Sequence, residues 1–323
     1  MGFELSDRWL WDSWYAHDGA LWHGFFLQAP KAVGDPDQRH WHASIHHATS
    51  PDLCRWTSLG TCFGPAPGPA WDDYTTWTGS VVRGDDGLWH LFYTGTCRAE
   101  GGLKQRIGHA VSLDLHAWER VGEGRLLDRA DPYEEYEPQA HPGRWHDRAF
   151  RDPWVYRDPD GAGWLMAFTA RDGRHPDRLS AGAIGLARST DLYDWTLEPP
   201  MFTGVAGELE VPQVLQIGGR WYCLFCTSAR FWSEPALAAL APAGTGTHYL
   251  VGDGPRGPWR LGPAPMLDGA PFPRRYAGRL VADGGRFWLL GFRWQDSPGG
   301  PFVGALSDPA EVVACETGAL RLG

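Results

Sequence analysis

Three acidic residues share one position relative to tryptophans that begin similar apolar segments. They are Asp12, ten residues before Trp22, Asp152, twelve before Trp164, and Glu210, eleven before Trp221. If the segments are equivalent, the three carboxyls converge, and their repulsion is costly unless function requires it. Such a trio suits two chemistries: hard oxygen ligands for Ca²⁺ or Mg²⁺, or the acid and the ionised carboxylate that cleave a glycosidic bond. The mixture of Asp and Glu favours glycosidic cleavage, because the longer Glu side chain reaches a leaving group from the opposite side of a funnel-shaped site.

The elements that position these acids follow from two internal repeats. Five apolar segments each carry an aromatic residue near their start: LWHGFFLQAP from Leu21, LWHLFYTGT from Leu88, GWLMAFTAR from Gly163, RWYCLFCTS from Arg220 and RFWLLGFRW from Arg286. A Ser-x-Asp-Leu-x-x-Trp pattern follows three of them, at residues 48–56, 110–118 and 187–195. Two repeats in one phase predict an all-β fold, a five-bladed β-propeller with four-stranded antiparallel blades around a central funnel. A β-sandwich or a pair of β domains is the alternative.

The composition supports this fold class and limits the partners. The 42 Gly and 26 Pro among 323 residues punctuate short apolar runs, as expected of many strands and turns. The net charge of −10 argues against nucleic acid or an anionic membrane surface, since either needs a basic face. We expect a single domain over residues 1–323, a small-molecule carbohydrate as ligand, and neither a cofactor nor a metal. Nothing in the sequence indicates an oligomeric state.

The cysteines and the N-terminus bear on location. No basic segment followed by an apolar stretch begins the chain, and no apolar run approaches the length of a membrane span. The six cysteines are scattered and lack the paired spacing of a zinc site. Free thiols are typical of a reducing compartment. We expect a cytoplasmic protein, whose substrate would be a small imported saccharide.

The inner strands of a propeller line its central channel. Counting back about eleven residues from each marker tryptophan places these residues on the five inner strands: Asp12, Trp77, Asp152, Glu210 and Tyr276. The chain is rich in tryptophan, with 19, and indole rings stack on the apolar faces of sugars. We expect most of them to pack between blades, and we assign Trp11, Trp14 and Trp77 to the funnel.

Five short motifs, in chain order, resemble those of a known clan. They are Trp11-Asp12-Ser13-Trp14, Trp77-Thr78-Gly79-Ser80, Arg151-Asp152-Pro153, Glu210-Val211-Pro212-Gln213 and Tyr276-Ala277. They look like the motifs of the five-bladed propeller glycosidases of glycoside hydrolase families 32 and 68, with family 43 as a cousin. Asp-Ser-Trp after Trp is similar to the levansucrase form of the first motif, and Arg-Asp-Pro is typical of fructan-acting members.

The resemblance implies a role for each acid. Asp12 would attack the anomeric carbon, Glu210 would protonate the leaving oxygen and later activate water, and Asp152 would hold sugar hydroxyls and stabilise positive charge. Arg151 would keep Asp152 or Glu210 correctly ionised. The substrate-binding residues that it implies are Trp11, Trp14, Trp77, Ser80, Arg151, Gln213 and Tyr276. The implied activity is a retaining β-fructofuranosidase-like glycosidase acting on a small fructosyl saccharide.

The sequence departs from the family pattern in places, and alternatives stay open. Glu208 competes with Glu210 as the acid, and we expect no C-terminal β-sandwich. Because Asp12 lies near the start, we expect a ring-closing strand to come largely from the C-terminus. The substrate alternative is an arabinofuranosyl unit, cleaved with inversion as in family 43, and transfer to another sugar could replace hydrolysis. A non-catalytic propeller that binds sugar or protein predicts that the three acids point apart or are ion-paired.

Two further segments invite a functional interpretation. HWHASIHHATS looks like a metal cluster, but a strand would place His40 and His42 on one face and His47 on the other. Without acidic partners nearby, we expect packed or exposed histidines there. The acidic segment 131–147 precedes the third inner strand and is either a cap over the funnel or a solvated loop.

Overall fold

The computed structural model of the chain describes residues 2–128, 133, 149–173, 175–239, 244–270 and 274–323. These residues are mainly β-strand, with one six-residue α-helix, α1 (Glu234–Ala239). The acidic segment 131–147 lies, apart from Tyr133, outside the described residues.

Five antiparallel sheets are each built from consecutive strands. The first comprises β1 (Arg8–His17), β2 (Trp22–Pro30), β3 (Ser44–Ser50) and β4 (Thr57–Phe63). The second comprises β5 (Thr75–Arg83), β6 (Trp89–Thr96), β7 (Gln105–Ser112) and β8 (Glu119–Leu127). The third comprises β9 (Phe150–Arg157), β10 (Trp164–Arg171), β11 (Gly182–Ser189) and β12 (Trp195–Thr203).

The remaining two sheets follow the same plan. The fourth comprises β13 (Glu210–Ile217), β14 (Arg220–Thr227), β15 (Thr245–Gly252) and β16 (Trp259–Ala270). The fifth comprises β17 (Arg275–Asp283), β18 (Arg286–Arg293), the two-residue β19 (Ala305–Leu306) beside β18, β20 (Ala310–Ala314) and β21 (Leu320–Leu322).

The first strand of every sheet faces a common axis. β1 contacts β5, β5 contacts β9, β9 contacts β13, β13 contacts β17, and β17 contacts β1 again. Five sheets whose inner strands form a closed ring are the five blades of a β-propeller, as the sequence predicts. The marker tryptophans Trp22, Trp89 and Trp164 begin the second strands of their blades.

Ring closure differs from the expectation. The first blade is made wholly of N-terminal strands and the fifth wholly of C-terminal strands, so the expected ring-closing strand from the C-terminus is wrong. The chain ends instead meet through backbone hydrogen bonds: the N–H of Leu10 donates to Gly304 at 2.8 Å, and that of Leu306 donates to Phe3 at 2.9 Å. These bonds join the first and fifth blades without exchanging a strand.

Apolar packing between blades holds the ring together. Phe25 of the first blade shares a cluster with Tyr93 of the second, and Phe150 of the third shares one with Phe92 of the second. Further clusters join the third blade to the fourth, the fourth to the fifth and the fifth to the first. Because burial of apolar surface is the main favourable term in folding, these clusters stabilise the contacts between neighbouring blades.

The Ser-x-Asp-Leu repeat forms the turn before the outer strand in the first three blades. In the first copy, Oδ1 of Asp52 accepts hydrogen bonds from the N–H groups of Cys54 and Arg55 at 3.0 and 2.8 Å. The leucine of each copy has a positive φ: 61° at Leu53, 69° at Leu115 and 74° at Leu192. The shared backbone conformation explains why the pattern recurs at a fixed distance from each outer strand.

Every inner strand carries a β-bulge at the same level. The register with the second strand shifts between Trp11 and Ser13 in β1, and shifts occur likewise at residues 77–80, 151–154, 210–213 and 276–279. Three of the bulged residues have a positive φ: 59° at Asp152, 53° at Val211 and 52° at Ala277. A bulge inserts one residue and redirects its side chain, so the five bulges turn a set of side chains toward the axis.

Candidate active site

The five bulges surround a cavity of about 520 Å³. All five inner strands contribute to its wall, through Asp12, Trp77, Asp152, Glu210 and Tyr276. Small-molecule sites usually measure roughly 300 to 1,000 Å³, so the cavity has room for one or a few sugar units. Asp12, Asp152 and Glu210, about 60 to 200 residues apart in the sequence, all line this cavity.

Asp12 is the extra residue of the β1 bulge. Its Oδ2 accepts a short hydrogen bond from the hydroxyl of Thr78 on β5. Burial, with a further contribution from the Asp152 charge, raises the pKa of Asp12 from 3.8 to about 6, against the opposing effects of Thr78, Arg279 and Arg39. Asp12 is therefore a carboxylate at neutral pH, weakly solvated and held in one orientation, as a nucleophile requires.

Asp152 is fixed by hydrogen bonds from two neighbouring strands. Its Oδ2 accepts from the hydroxyl of Thr169 at 2.8 Å and from the N–H of Val211 at 3.1 Å. Its own N–H, displaced by the positive φ, donates to Oγ1 of Thr94 at 2.9 Å. The N–H and the Oδ2 of Asp152 therefore both have hydrogen-bond partners in spite of the positive φ. The carboxylate can accept further hydrogen bonds from a ligand.

Glu210 is held at both carboxylate oxygens. Nη2 of Arg151 lies 2.9 Å from Oε1, and the Tyr276 hydroxyl donates to Oε2 at 2.7 Å. The Glu210 side chain is 15% exposed, whereas that of Glu208 is 1% exposed, 3.2 Å from the same Arg151 nitrogen. Both glutamates line the cavity, but Glu210 is the one that a ligand reaches more easily.

Arg151 connects the acids of two blades. Besides the two glutamates, its Nε lies 3.5 Å from Oδ2 of Asp152, and its Nη1 donates to Oε1 of Gln105 at 3.4 Å. Burial opposes the guanidinium charge, but Glu208, Glu210 and Asp152 outweigh it and raise the pKa of Arg151. A permanent cation therefore sits among three carboxyls and limits their mutual repulsion.

Aromatic residues form much of the remaining wall. Trp11, Trp77 and Tyr276, three of the residues predicted to contact a ligand, line the cavity. Nε1 of Trp77 donates to the carbonyl of His40 at 2.8 Å. Sequence reasoning missed further lining residues on connections between strands: Phe231, Arg230 and Trp294. All three lie between the second and third strands of their blades, where the connections differ in length from blade to blade, so the repeat could not point to them.

Arg39 is a second cation at the cavity that the sequence did not indicate. It lies in the 3₁₀ segment Pro36–His42 between β2 and β3, and its guanidinium carbon is 4.3 Å from the Phe302 ring centroid and 5.6 Å from that of Trp11. Burial lowers the pKa of Arg39 to about 10, although the Asp12 charge opposes the shift. Arg39 is therefore protonated at neutral pH and opposes the charge on Asp12.

Three residues predicted to bind substrate do not line the cavity. Trp14 is buried against Phe25, with ring centroids 6.2 Å apart. Oγ of Ser80 accepts from the N–H of Val155 at 3.1 Å. The Gln213 amide exchanges two hydrogen bonds, of 2.8 and 2.7 Å, with the backbone of Leu280. Each follows a bulge, which reverses the side on which the next side chains lie, so Trp14 packs on β2 of its own blade, whereas Ser80 and Gln213 bind neighbouring blades.

The histidine segment is not a metal cluster. Within the described residues, no group of three or more His, Cys, Asp or Glu side chains is arranged to hold a metal. His40 and His42 lie in a 3₁₀ segment, so the predicted strand face does not exist. His47 in β3 shares a 2.9 Å hydrogen bond with His23 of β2, and His40 lines the cavity.

A family model decides the relationship of the chain to known proteins. Residues 13–254 match the model described as "Glycosyl hydrolases family 32 N-terminal domain". The chain belongs to glycosyl hydrolase family 32. A curated relative is the raffinose invertase of Escherichia coli, 31% identical over 212 residues; the match covers 63% of this chain and 38% of that protein. The chain thus spans well under half the length of this relative.

Solved structures show the same fold. The catalytic domain of the Microbacterium saccharophilum K-1 β-fructofuranosidase has a TM-score of 0.76 and 19% identity, over 100% of this chain and 82% of that one. The inulosucrase of Halalkalicoccus jeotgali, bound to kestose, has a TM-score of 0.75 and 24% identity, over 98% of this chain and 87% of that one. This family 32 chain therefore shares its propeller with both. No helix of the described residues is long and apolar enough to cross a membrane.

Proposed function

We propose that this family 32 chain is a retaining β-fructofuranosidase-like hydrolase that acts on small fructosyl saccharides. The observation that carries the proposal is that Asp12, Asp152 and Glu210 all line one cavity. Arg151 pairs with Asp152 and Glu210, and the hydroxyl of Thr78 bonds Asp12. Family membership supports fructosyl over arabinofuranosyl units, and the family 32 relative is named for raffinose.

The reaction would run in two displacements. A carboxylate oxygen of Asp12 bonds to the anomeric carbon while the glycosidic oxygen leaves and takes a proton from Glu210. Water then attacks the same carbon and gives up a proton to Glu210, and the bond between Asp12 and the anomeric carbon breaks. Asp152, held by Thr169 and Val211, would accept hydrogen bonds from sugar hydroxyls and stabilise the positive charge that develops on the ring.

The alternative, a non-catalytic propeller that binds sugar or protein, is tested by the contacts of the three acids. It expects acids that point apart or are ion-paired, and Arg151 does pair with Glu210 and Asp152. However, all three acids open to one cavity and Asp12 carries a raised pKa, which is typical of catalytic groups. These observations favour an enzyme.

Sucrose, raffinose, short fructans and aryl furanosides, including an aryl arabinofuranoside, test the proposal. We expect fructose release from the small fructosyl substrates by the wild type and a loss of about 10³-fold or more in Asp12→Asn. Asp283→Asn, which changes an exposed residue at the end of β17, is the matched control and should retain full activity. Equal release by the wild type and Asp12→Asn, or cleavage of arabinofuranosides alone, would refute the proposal.

Two wider features belong to the same proposal. All six cysteines are free thiols, which supports a cytoplasmic location. The closed ring of inner strands supports one catalytic domain over residues 1–323. The net charge of −10 supports a carbohydrate substrate rather than nucleic acid or an anionic membrane as partner.

A further inference from the structure

Arg279 is a buried cation that the proposed mechanism does not use. It lies on β17, three residues after Tyr276, and is 1% exposed. It is not part of the cavity wall described above. Because a buried guanidinium is costly unless it is well paired, its position calls for a physical reason.

One end of Arg279 holds the backbone that carries Glu210. Its Nη1 donates to the carbonyl oxygens of Val211 and Pro212, at 3.0 and 2.5 Å. These two residues form the bulge that directly follows Glu210 in β13, and Val211 has the positive φ of 53°. The fifth blade therefore fixes the strained segment of the fourth blade that aims Glu210 into the cavity.

The rest of the guanidinium packs on an aromatic ring, and no carboxylate among the described residues forms an ion pair with it. Its central carbon lies 4.9 Å from the ring centroid of Trp154, whose Nε1 donates to Val214 at 3.1 Å. Nε and Nη2 of Arg279 have no hydrogen-bond partner within the described part of the chain. The charge consequently acts over distance, and the acids that it acts on most are Asp152 and Asp12.

We propose that Arg279 is a positioning residue of the active site, which fixes the bulge beside Glu210 and supplies positive charge that balances Asp12 and Asp152. The inference rests on the proposed function, because it assigns Arg279 a part in that reaction. It explains why a charge is buried where a neutral hydrogen-bond donor would suffice for the two carbonyls.

The charged groups around Asp12 make this role measurable. Asp152 on β9 disfavours ionisation of Asp12, whereas Thr78 on β5, Arg279 on β17 and Arg39 between β2 and β3 favour it. Of the groups that favour ionisation of Asp12, loss of the Arg279 charge leaves Arg39 as the remaining cation. Asp12 should then bind its proton more tightly.

The other titratable groups that face Arg279 carry no negative charge at neutral pH. Burial lowers the pKa of Arg279 to about 10, so it remains protonated. Burial also raises the pKa values of its neighbours Tyr15 on β1 and Cys223 and Cys226 on β14. These three groups are therefore neutral, and the two aspartates are the anions that the guanidinium balances.

Arg279→Gln separates charge from hydrogen bonding, because the glutamine amide still offers a donor to the two carbonyls. The matched control is Arg106→Gln, which removes a buried arginine of the second blade that pairs with Glu100 and Asp128. Asp12 titration is followed by carbon-13 NMR of labelled aspartate carboxyls, assigned with Asp12→Asn, and kcat and KM are measured on a fructosyl substrate.

We expect the Asp12 titration midpoint to rise by about one pH unit in Arg279→Gln and to stay unchanged in Arg106→Gln. The kcat should fall with little change in KM, since Arg279 does not line the cavity. An unshifted midpoint in folded Arg279→Gln would overturn the inference.

A second measurement, made on the wild type, tests the inference if the Arg279→Gln variant does not fold. In the wild type, the guanidinium carbon resonance of Arg279 should move as Asp12 titrates and should lose that movement in Asp12→Asn. A resonance that ignores the titration would overturn the inference. The NMR readouts need no turnover, so a shifted midpoint in a protein that cleaves no fructosyl substrate would refute the proposed function separately.

Discussion

The hydroxyl of Tyr276 donates a 2.7 Å hydrogen bond to Oε2 of Glu210, across the boundary between the fourth and fifth blades. Burial, followed by the Glu210 charge, raises the pKa of Tyr276 well above 10, so the tyrosine stays a donor at every working pH. Glu210 is therefore oriented by a neutral donor on one oxygen and by Arg151 on the other. The orientation of the proposed acid depends on two neighbouring blades.

Tyr276→Phe should lower kcat by about tenfold on a fructosyl substrate, since Glu210 loses one of the two donors that orient it. The control is Tyr193→Phe, which also removes a 2.7 Å tyrosine hydrogen bond to a carboxylate, that of Asp86, but far from the cavity wall. Steady-state kinetics on both variants provides the check. A similar loss in both would mean that the effect is only on stability.

The pH dependence of kcat/KM should show an acid limb near pH 6, set by Asp12. Burial and then the Asp152 charge raise the pKa of Asp12 to about 6, and Asp12, as the proposed nucleophile, is active only when ionised. Asp152→Asn removes the second cause, so the limb of its residual activity should move to lower pH. A pH profile of both proteins tests this, and an unchanged limb would exclude Asp12 as the titrating group.

Glu210→Gln and Glu208→Gln should differ in their dependence on the leaving group. Glu210→Gln should lose about 10² to 10⁴-fold on sucrose and far less on an aryl fructoside, whose leaving group needs little protonation. Glu208→Gln should lower the rates on both substrates by similar factors, because Glu208 acts by pairing with Arg151. Rates on the two substrates decide between the glutamates, and the reverse pattern would make Glu208 the acid.

Asp12→Asn should stabilise the fold at pH 7. The folded-state pKa of about 6 lies above the ordinary 3.8, so the charged form is disfavoured in the folded protein at neutral pH. A neutral side chain removes up to about 3 kcal/mol of that penalty. Urea unfolding at pH 7 measures the gain, which should shrink toward zero as the pH falls from 6 to below 4. A less stable variant at pH 7 would contradict this sign.

The boundary between the first two blades should weaken in mild acid. The His47 ring meets that of His116 edge to face, with centroids 5.0 Å apart, and shares a hydrogen bond with His23. Burial, then His23 and His116, lowers the pKa of His47 to about 3. A lowered histidine pKa means that stability present at neutral pH is lost as the pH falls below about 6.5.

The next blade boundary offers a replacement to test this. There, Tyr193 contacts His90 and His109 from the equivalent turn. His116→Tyr should therefore reduce the loss of unfolding free energy between pH 7 and pH 5, measured by urea unfolding. A steeper loss than in the wild type would contradict the assignment.

The blade count and the three acids could be predicted because both depend on repetition. The marker tryptophans and the Ser-x-Asp-Leu turns recur in one phase, and that phase placed Asp12, Asp152 and Glu210 on inner strands as the structure has them. Local turn geometry, such as the positive φ of Leu53 and its counterparts, is set by short sequence and so leaves a readable signal.

The rest of the site depends on features that strand alternation cannot reveal. The bulges shift the alternation, so Trp14 packs within its own blade, and Ser80 and Gln213 bind neighbouring blades, instead of lining the cavity. Arg39 comes from the connection between β2 and β3, outside the repeated strands and turns. Arg279 lies on an inner strand, but its role depends on the backbone of another blade, which no local pattern encodes.

The most direct test of the account is to trap the sugar on Asp12. Glu210→Gln is mixed with an aryl β-fructofuranoside, quenched in acid, digested and analysed by mass spectrometry. The account predicts that the peptide containing Asp12 gains the mass of one hexosyl unit and that Asp12→Asn gains none. A hexosyl unit on another residue, or product release by Asp12→Asn at the wild-type rate, would contradict it.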